Sequence, residues 1–481
     1  MQLDLIIRGG TVIDGTRAPR FDADVGVQGG RIAAVGDLSA QRAPQELDAR
    51  GRIVAPGFID SHTHDDQALL RQPLLPFKVS QGVTTVITGN CGVSIAPLAD
   101  GRPVPPPLDL LQLGEHGRYG DFKSYFAALR AAPASVNVAA LVGHTSLRAN
   151  TMPRFDREAS ADEIAAMRTQ LEQALDDGAL GLSTGTFYPP AAHASTAEII
   201  AVGRALTGRG ALYTTHMRDE GDQVIASLDE TFLIGRELQV PVVISHHKLR
   251  GSANHGRSAE TLAHIQGAMQ CQCVGLDCYP YEASGTMIRS DAGMLDGRVL
   301  ISTSGPHPEC AGRDLADIAM QWGVSREEAV RRLQPGSAIY FLMAEADVRA
   351  ILAFEYTMIG SDGLALGERP HPRLWGTFPR VLGRYSRELK LFPLETAVWK
   401  MTGLTARQFG LADRGTLAPG QAADVVVFDA GTINDEADYG HPQRAATGID
   451  AVLVNGQLTW QHGAHLGTRR GQVLTRSGAL S

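Results

Sequence analysis

The 481-residue chain is several times an average domain, yet α/β barrels run past about 250 residues as one unit, so one large core with appendages suits its length. A formal charge of -8 without a basic cluster argues against nucleic acid as a partner, and no apolar run approaches the roughly 20 residues that span a bilayer. Five unevenly placed cysteines (Cys91, Cys271, Cys273, Cys278 and Cys310) do not make a disulfide framework, and the start Met1-Gln2-Leu3-Asp4 is unlike a signal peptide. A reducing, cytoplasmic setting is expected, with a monomer or a small homo-oligomer.

In chain order, residues 5–15 and 24–36 alternate apolar and polar side chains and break at glycine, which predicts short strands. The same signature returns at 423–429 and 452–457. Residues 1–55 and 416–481 are therefore expected to pair into one small β-sandwich domain, with two separate β caps as the other arrangement. Between them, β-branched runs recur at 82–87, 136–142, 181–184, 212–215, 240–245 and 358–361. Amphipathic stretches separate several of them, such as 162–175, opened by Ser160 and closed by Gly178. This rhythm predicts an α/β fold, a TIM-like (β/α)8 barrel over 56–415. Residues 283–345 break the rhythm and are read as an insertion between the last two barrel strands.

The chemistry falls where the strands stop. His62 and His64 are one residue apart after an apolar run, so on an extended backbone both rings face the same side. Cys91 follows a glycine turn in Gly89-Asn90-Cys91-Gly92, His216 and His246 end the fifth and sixth runs, and Asp362 ends the eighth. In a barrel these positions meet at the carboxyl-end rim. Imidazoles, a thiol and a carboxylate suit zinc with an open position for water. Taken singly, Cys91 reads as a small buried hydrophobe, each histidine as a core residue and Asp362 as a turn former. His144 is left as structural or supporting, and His247 should point away from His246.

The run Pro56-Gly57-Phe58-Ile59-Asp60-Ser61-His62-Thr63-His64, with His216, His246 and Asp362, resembles the amidohydrolase superfamily. Gly89-Asn90-Cys91-Gly92, Ser245-His246-His247-Lys248 and His371-Pro372-Arg373-Leu374-Trp375-Gly376-Thr377-Phe378 are similar to motifs of the D-aminoacylase family. The fourth strand, residues 178–185, lacks the metal-bridging lysine of hydantoinase-like relatives.

The resemblance implies zinc held tightly by Cys91, His216 and His246, and a weaker second site on His62, His64 and Cys91. It implies hydrolysis of N-acyl-D-amino acids, with Asp362 moving the proton and Lys248, Tyr279 and Arg373 binding the substrate carboxylate. Tyr188 and Arg250 are weaker pocket-lining positions, and Arg289 is expected to face water. The D-handedness rests on the resemblance alone. The alternatives are a cyclic-amide hydrolase, a deaminase using an acid such as Asp219 or Glu220, and a non-catalytic scaffold.

Overall fold

The computed structural model describes residues 2–113 and 117–475. Its centre is a ring of eight parallel strands. They are β1 (Phe58–Asp60), β2 (Val83–Thr88), β3 (Asn137–Ala140 continuing at Val142–Gly143), β4 (Gly181–Gly185), β5 (Leu212–His216), β6 (Val242–Ile244), β7 (Val274–Cys278) and β8 (Thr357–Ile359). Pairing is parallel throughout, for example Gly181 opposite Leu212 and Gly185 opposite His216. The ring closes between β8 and β1, where Ser61 N donates to Ile359 O at 3.4 Å and Asp362 N donates to His62 O at 2.8 Å.

Every residue of β2 is buried, as expected of a strand covered on both faces. Fully burying a valine or isoleucine contributes about 1.5–3 kcal/mol, so these short runs hold the ring against considerable backbone ordering cost. Outside it, the helix Ala161–Asp176 opens with a capping box between Ser160 and Glu163, one residue from the predicted start. The eighth strand ends at Ile359, sooner than the run 358–361 suggested, and Gly360 then packs so close to β1 that an added Cβ would lie 2.6 Å from the His62 Cβ.

Between β7 and β8, the strands Ala283–Met287, Arg298–Ser304 and Gly336–Phe341 form their own antiparallel sheet. The chain ends share another sheet. Ile53–Pro56 pairs parallel with Leu5–Val12 and antiparallel with Val425–Phe428, so amino- and carboxyl-terminal strands lie side by side rather than in separate caps. Residues 476–481 of the predicted terminal unit lie outside the described residues. Among the described residues, no helix is long and apolar enough to cross a membrane.

Candidate metal centre

The carboxyl ends of the strands carry the reactive side chains, and the backbone there is held in unusual shapes. Cys91, His246 and Asp362 all have left-handed φ angles, 54°, 37° and 49°. Each costs about 1–3 kcal/mol for a residue with a Cβ, so the surroundings must enforce it. At Cys91 the enforcement comes from β4. The Ser183 hydroxyl accepts from Gly92 N at 3.0 Å and donates to Gly89 O, tying both ends of the turn. Gly185 lies so close beneath that an added Cβ would meet Cys91 O at 2.1 Å.

At β1 and β8 the tie is ionic. Asp60 Oδ1 accepts from Ser361 N at 2.8 Å and from His62 N at 3.3 Å. Its other oxygen accepts from the buried Lys78 Nζ at 2.7 Å, and Lys78 also reaches Ser361 Oγ at 2.9 Å and Asp65 Oδ2 at 3.1 Å. One ammonium thus fixes the stretches that carry His62, His64 and Asp362.

The donors converge as a result. Cys91 Sγ is 3.2 Å from His62 Nε2 and 3.2 Å from His246 Nε2. Atoms of His62, Cys91, His246 and Asp362 lie within 4.8 Å of one another, as do atoms of His216, Glu220 and His246. His64 Nε2 is 3.1 Å from Asp362 Oδ1, and the His216 and His246 rings stand 4.4 Å apart. His144 does not join them; it pairs with Glu198 at 3.2 Å. His247 turns away to Thr261 Oγ1 at 3.0 Å.

Among the described residues, both ring nitrogens of His216 are buried without a hydrogen-bond partner, as are Nδ1 of His62 and of His64. Orphaned buried nitrogens around a thiol fit a bound cation, and the soft donor set fits zinc. Burial opposes ionisation of the Cys91 thiol, but the imidazoles of His62 and His246 outweigh it and hold its pKa well below the ordinary value. Burial also lowers His216, keeping it in the neutral form that ligates.

Next to this cluster stand two cations and an aromatic ring. Lys248 Nζ and Arg373 Cζ lie 5.8 Å and 4.6 Å from the Tyr279 ring centroid, and the buried Tyr279 hydroxyl has no partner among the described residues. Lys248 is engaged by Glu220 Oε1 at 2.6 Å and lies 2.7 Å from His246 Nδ1. Arg373 Nη1 lies 2.9 Å from Asp362 Oδ2. Burial opposes charge on Asp362, yet Arg373 and His64 hold it well below the usual carboxylate range. The Tyr188 ring packs 4.8 Å from His216. Arg289 departs from the expectation that it faces water: it stacks 4.2 Å over Phe187 and is chelated by Asp291 at 2.6 Å and 3.0 Å. Arg250 covers the same Phe187 ring at 4.7 Å.

The pattern of the amidohydrolase family matches residues 45–250 and 312–460. A D-aminoacylase of Alcaligenes xylosoxydans xylosoxydans is 58% identical over 476 residues, 99% of this chain and 98% of that protein. The chain belongs to the D-aminoacylase branch of the amidohydrolases. A solved D-aminoacylase, studied for one-metal activation and second-metal attenuation of its binuclear metal center, superposes with a TM-score of 0.97 at 59% identity, over 98% of this chain and all of that one (100%). The N-acyl-D-glutamate deacylase of Bordetella bronchiseptica, complexed with zinc and a phosphonate mimic of the tetrahedral intermediate, does so at 0.95 and 48% identity, covering 99% and 100%.

Several groups around the site of this amidohydrolase had not stood out as site residues. Asp277 accepts from His246 N at 2.8 Å and lies 3.5 Å from His62 Nδ1, beneath two donors at once. An acid at the end of the apolar run of β7 was its only trace in the sequence. Glu220 had been weighed, with Asp219, only as the acid of the disfavoured deaminase alternative; it lies 3.1 Å from His246 Nδ1 and 3.6 Å from His216 Nε2. Burial opposes its charge, but Lys248 keeps its carboxyl well below the ordinary range. Lys78 and Ser183 left no pattern that points to chemistry.

Proposed function

We propose that the protein hydrolyses the amide bond of N-acyl-D-amino acids in a zinc-dependent reaction, releasing a carboxylate and a free D-amino acid. The observation that carries this reading is the cluster of Cys91, His62, His246 and Asp362 donor atoms within 4.8 Å, bordered by Lys248, Tyr279 and Arg373. The D-aminoacylase and N-acyl-D-glutamate deacylase relatives support the D-handedness.

Cys91, His216 and His246 would hold the tighter zinc, and His62, His64 and Cys91 the weaker one. When bound, zinc is a Lewis acid that polarises a carbonyl and lowers the pKa of water to about 7. Asp362 takes the proton of the attacking water and delivers it to the leaving nitrogen. Lys248, Arg373 and the Tyr279 hydroxyl bind the substrate α-carboxylate. Tyr188 lines the pocket beside His216. Glu220 and Asp277 orient the imidazoles, as carboxylates behind metal-bound histidines do.

Residues 56–415 make the catalytic barrel in this reading, with the insertion at about 283–345 between its last two strands. Residues 1–55 and 416–481 are its small β-sandwich domain in this reading, residues 1 and 476–481 lying outside those described. The partner is a small molecule, and neither nucleic acid nor a membrane has a part. The setting is the cytoplasm, with a monomer or small homo-oligomer.

The test is turnover of N-acetyl-D-amino acids, their L-enantiomers and cyclic amides by protein of measured zinc content. Zinc-dependent release of the D-amino acid is expected. Preferential opening of a cyclic amide would overturn the reading in favour of a hydantoinase- or dihydroorotase-like enzyme.

A further inference from the structure

We propose that His371 is a positioning residue for the substrate clamp: its imidazole ties the start of the helix that carries Arg373 to the insertion strand Ala283–Met287, and so holds the guanidinium where a free α-carboxylate meets it. The inference rests on the deacylase reading and adds to it a residue on which selection for that carboxylate depends.

At the start of the helix Arg373–Arg380, Leu374 N donates to His371 O at 3.1 Å and Trp375 N to Pro372 O at 3.0 Å. Arg373 N is an orphan donor of that first turn, and His371 Nδ1 accepts from it at 3.0 Å. With Nδ1 an acceptor, the neutral ring carries its hydrogen on Nε2, which donates to Ala283 O at 2.9 Å. Burial, with the Arg373 guanidinium nearby, holds the His371 pKa well below the ordinary value and so keeps the ring neutral. Tyr281 and Tyr439 stand nearly edge-on to the imidazole, with ring centroids 5.2 Å and 5.4 Å away, and fix its orientation.

Arg373 reaches the same strand. Ala283–Met287 is an edge of the three-stranded insertion sheet, and its Ala283 and Gly285 carbonyls, two residues apart, face one side. His371 takes the first of them, and Arg373 Nη2 donates to the second at 3.0 Å. The histidine thus fixes the backbone of Arg373 while the strand fixes the tip of its side chain. Held at both ends, the guanidinium lies buried against the Tyr279 ring, and among the described residues its Nε has no hydrogen-bond partner. That leaves a preset donor for an incoming carboxylate, on which His371 acts only through Arg373.

The experiment takes whichever D-amino acid the enzyme turns over fastest and compares its N-acetyl derivative with the corresponding α-carboxamide, which keeps the scissile bond and loses the charge. In His371→Ala the acid-to-carboxamide ratio of kcat/KM should fall at least about tenfold, the contribution of two buried hydrogen bonds, with the loss in KM for the acid and zinc content unchanged. Where the carboxamide turns over too slowly to follow, the ratio is read from its Ki as a competitive inhibitor and the KM of the acid. His371→Asn keeps an acceptor for Arg373 N and His371→Gln a donor toward Ala283 O, so each should lie between alanine and wild type; if the alanine variant fails to fold, these two decide by the same ratio. An equal loss for acid and carboxamide, or a loss carried by kcat, overturns the inference, because a merely structural histidine would act that way. Arg373→Ala should lower the ratio further than His371→Ala does. An unchanged ratio in Arg373→Ala overturns the clamp and this inference with it, whereas wild-type protein that fails to hydrolyse the N-acetyl acid would sink the deacylase reading itself, a distinguishable result.

Discussion

Arg373 Nη1 lies 2.9 Å from Asp362 Oδ2, so the cation assigned to the substrate carboxylate and the acid assigned to proton transfer are paired with each other. A substrate carboxylate must share that guanidinium, and on arrival it loosens the hold on Asp362. Arg373→Ala should lower kcat/KM by the equivalent of about 2–5 kcal/mol, the cost of truncating one partner of a buried charge pair. Steady-state kinetics should place most of the loss in KM. Arg373→Lys keeps the charge without the planar fork and should fall between. Unchanged efficiency would remove Arg373 from the site.

Asp362→Asn keeps the shape and removes the base. Its kcat should drop about 10²–10⁴-fold while zinc content stays at the wild-type level. Loss of metal in parallel with turnover would make Asp362 a ligand rather than a proton carrier.

Glu220→Gln probes the support behind His216 and His246. Zinc affinity, read by competition with a chelator, should weaken about 10–100-fold, as it does when carboxylates behind metal-bound histidines are changed.

Lys78→Met leaves Asp60 and Asp65 buried without their cation. Denaturant unfolding should show a loss of about 3–5 kcal/mol, far more than a surface lysine would cost. A loss below about 1 kcal/mol would mean that the ties between β1 and β8 stand without it.

Glu198 offers a test by pH. Burial opposes its ionisation, but His144 and Arg148 overcome this and bring its carboxyl from an ordinary 4.5 down to about 2. A folded-state pKa below the unfolded one contributes stability above about 4.5 that is lost as pH falls toward about 2. Over that window the stability gap between wild type and Glu198→Gln should narrow by roughly 3 kcal/mol, measured as unfolding free energy at several pH values. A gap that does not change with pH would contradict the pairing.

The barrel was legible because its strands are β-branched and its helices carry clear signals, Ser160 with Glu163 above all. His62 and His64 were legible for a local reason, since a spacing of two on an extended chain aims both rings alike. The supporting groups were not. Asp277, Glu220 and Lys78 matter through partners up to hundreds of positions away, as Lys78 does with Ser361, and no local pattern carries that relation. Arg289 looked like a surface arginine because nothing near it in sequence announces that Phe187 offers a ring to stack on.

The strand Ile53–Pro56 leads directly into β1, yet its antiparallel neighbour, Val425–Phe428, lies beyond the whole barrel in the chain. During synthesis the histidines of β1 leave the ribosome before the rest of the barrel, while the strand that braces their approach follows only after all of it. Final seating of the two histidines is thereby coupled to synthesis beyond the barrel, and a nascent chain arrested between Asp362 and Val425 would hold every proposed metal donor without the strand that braces the approach to β1.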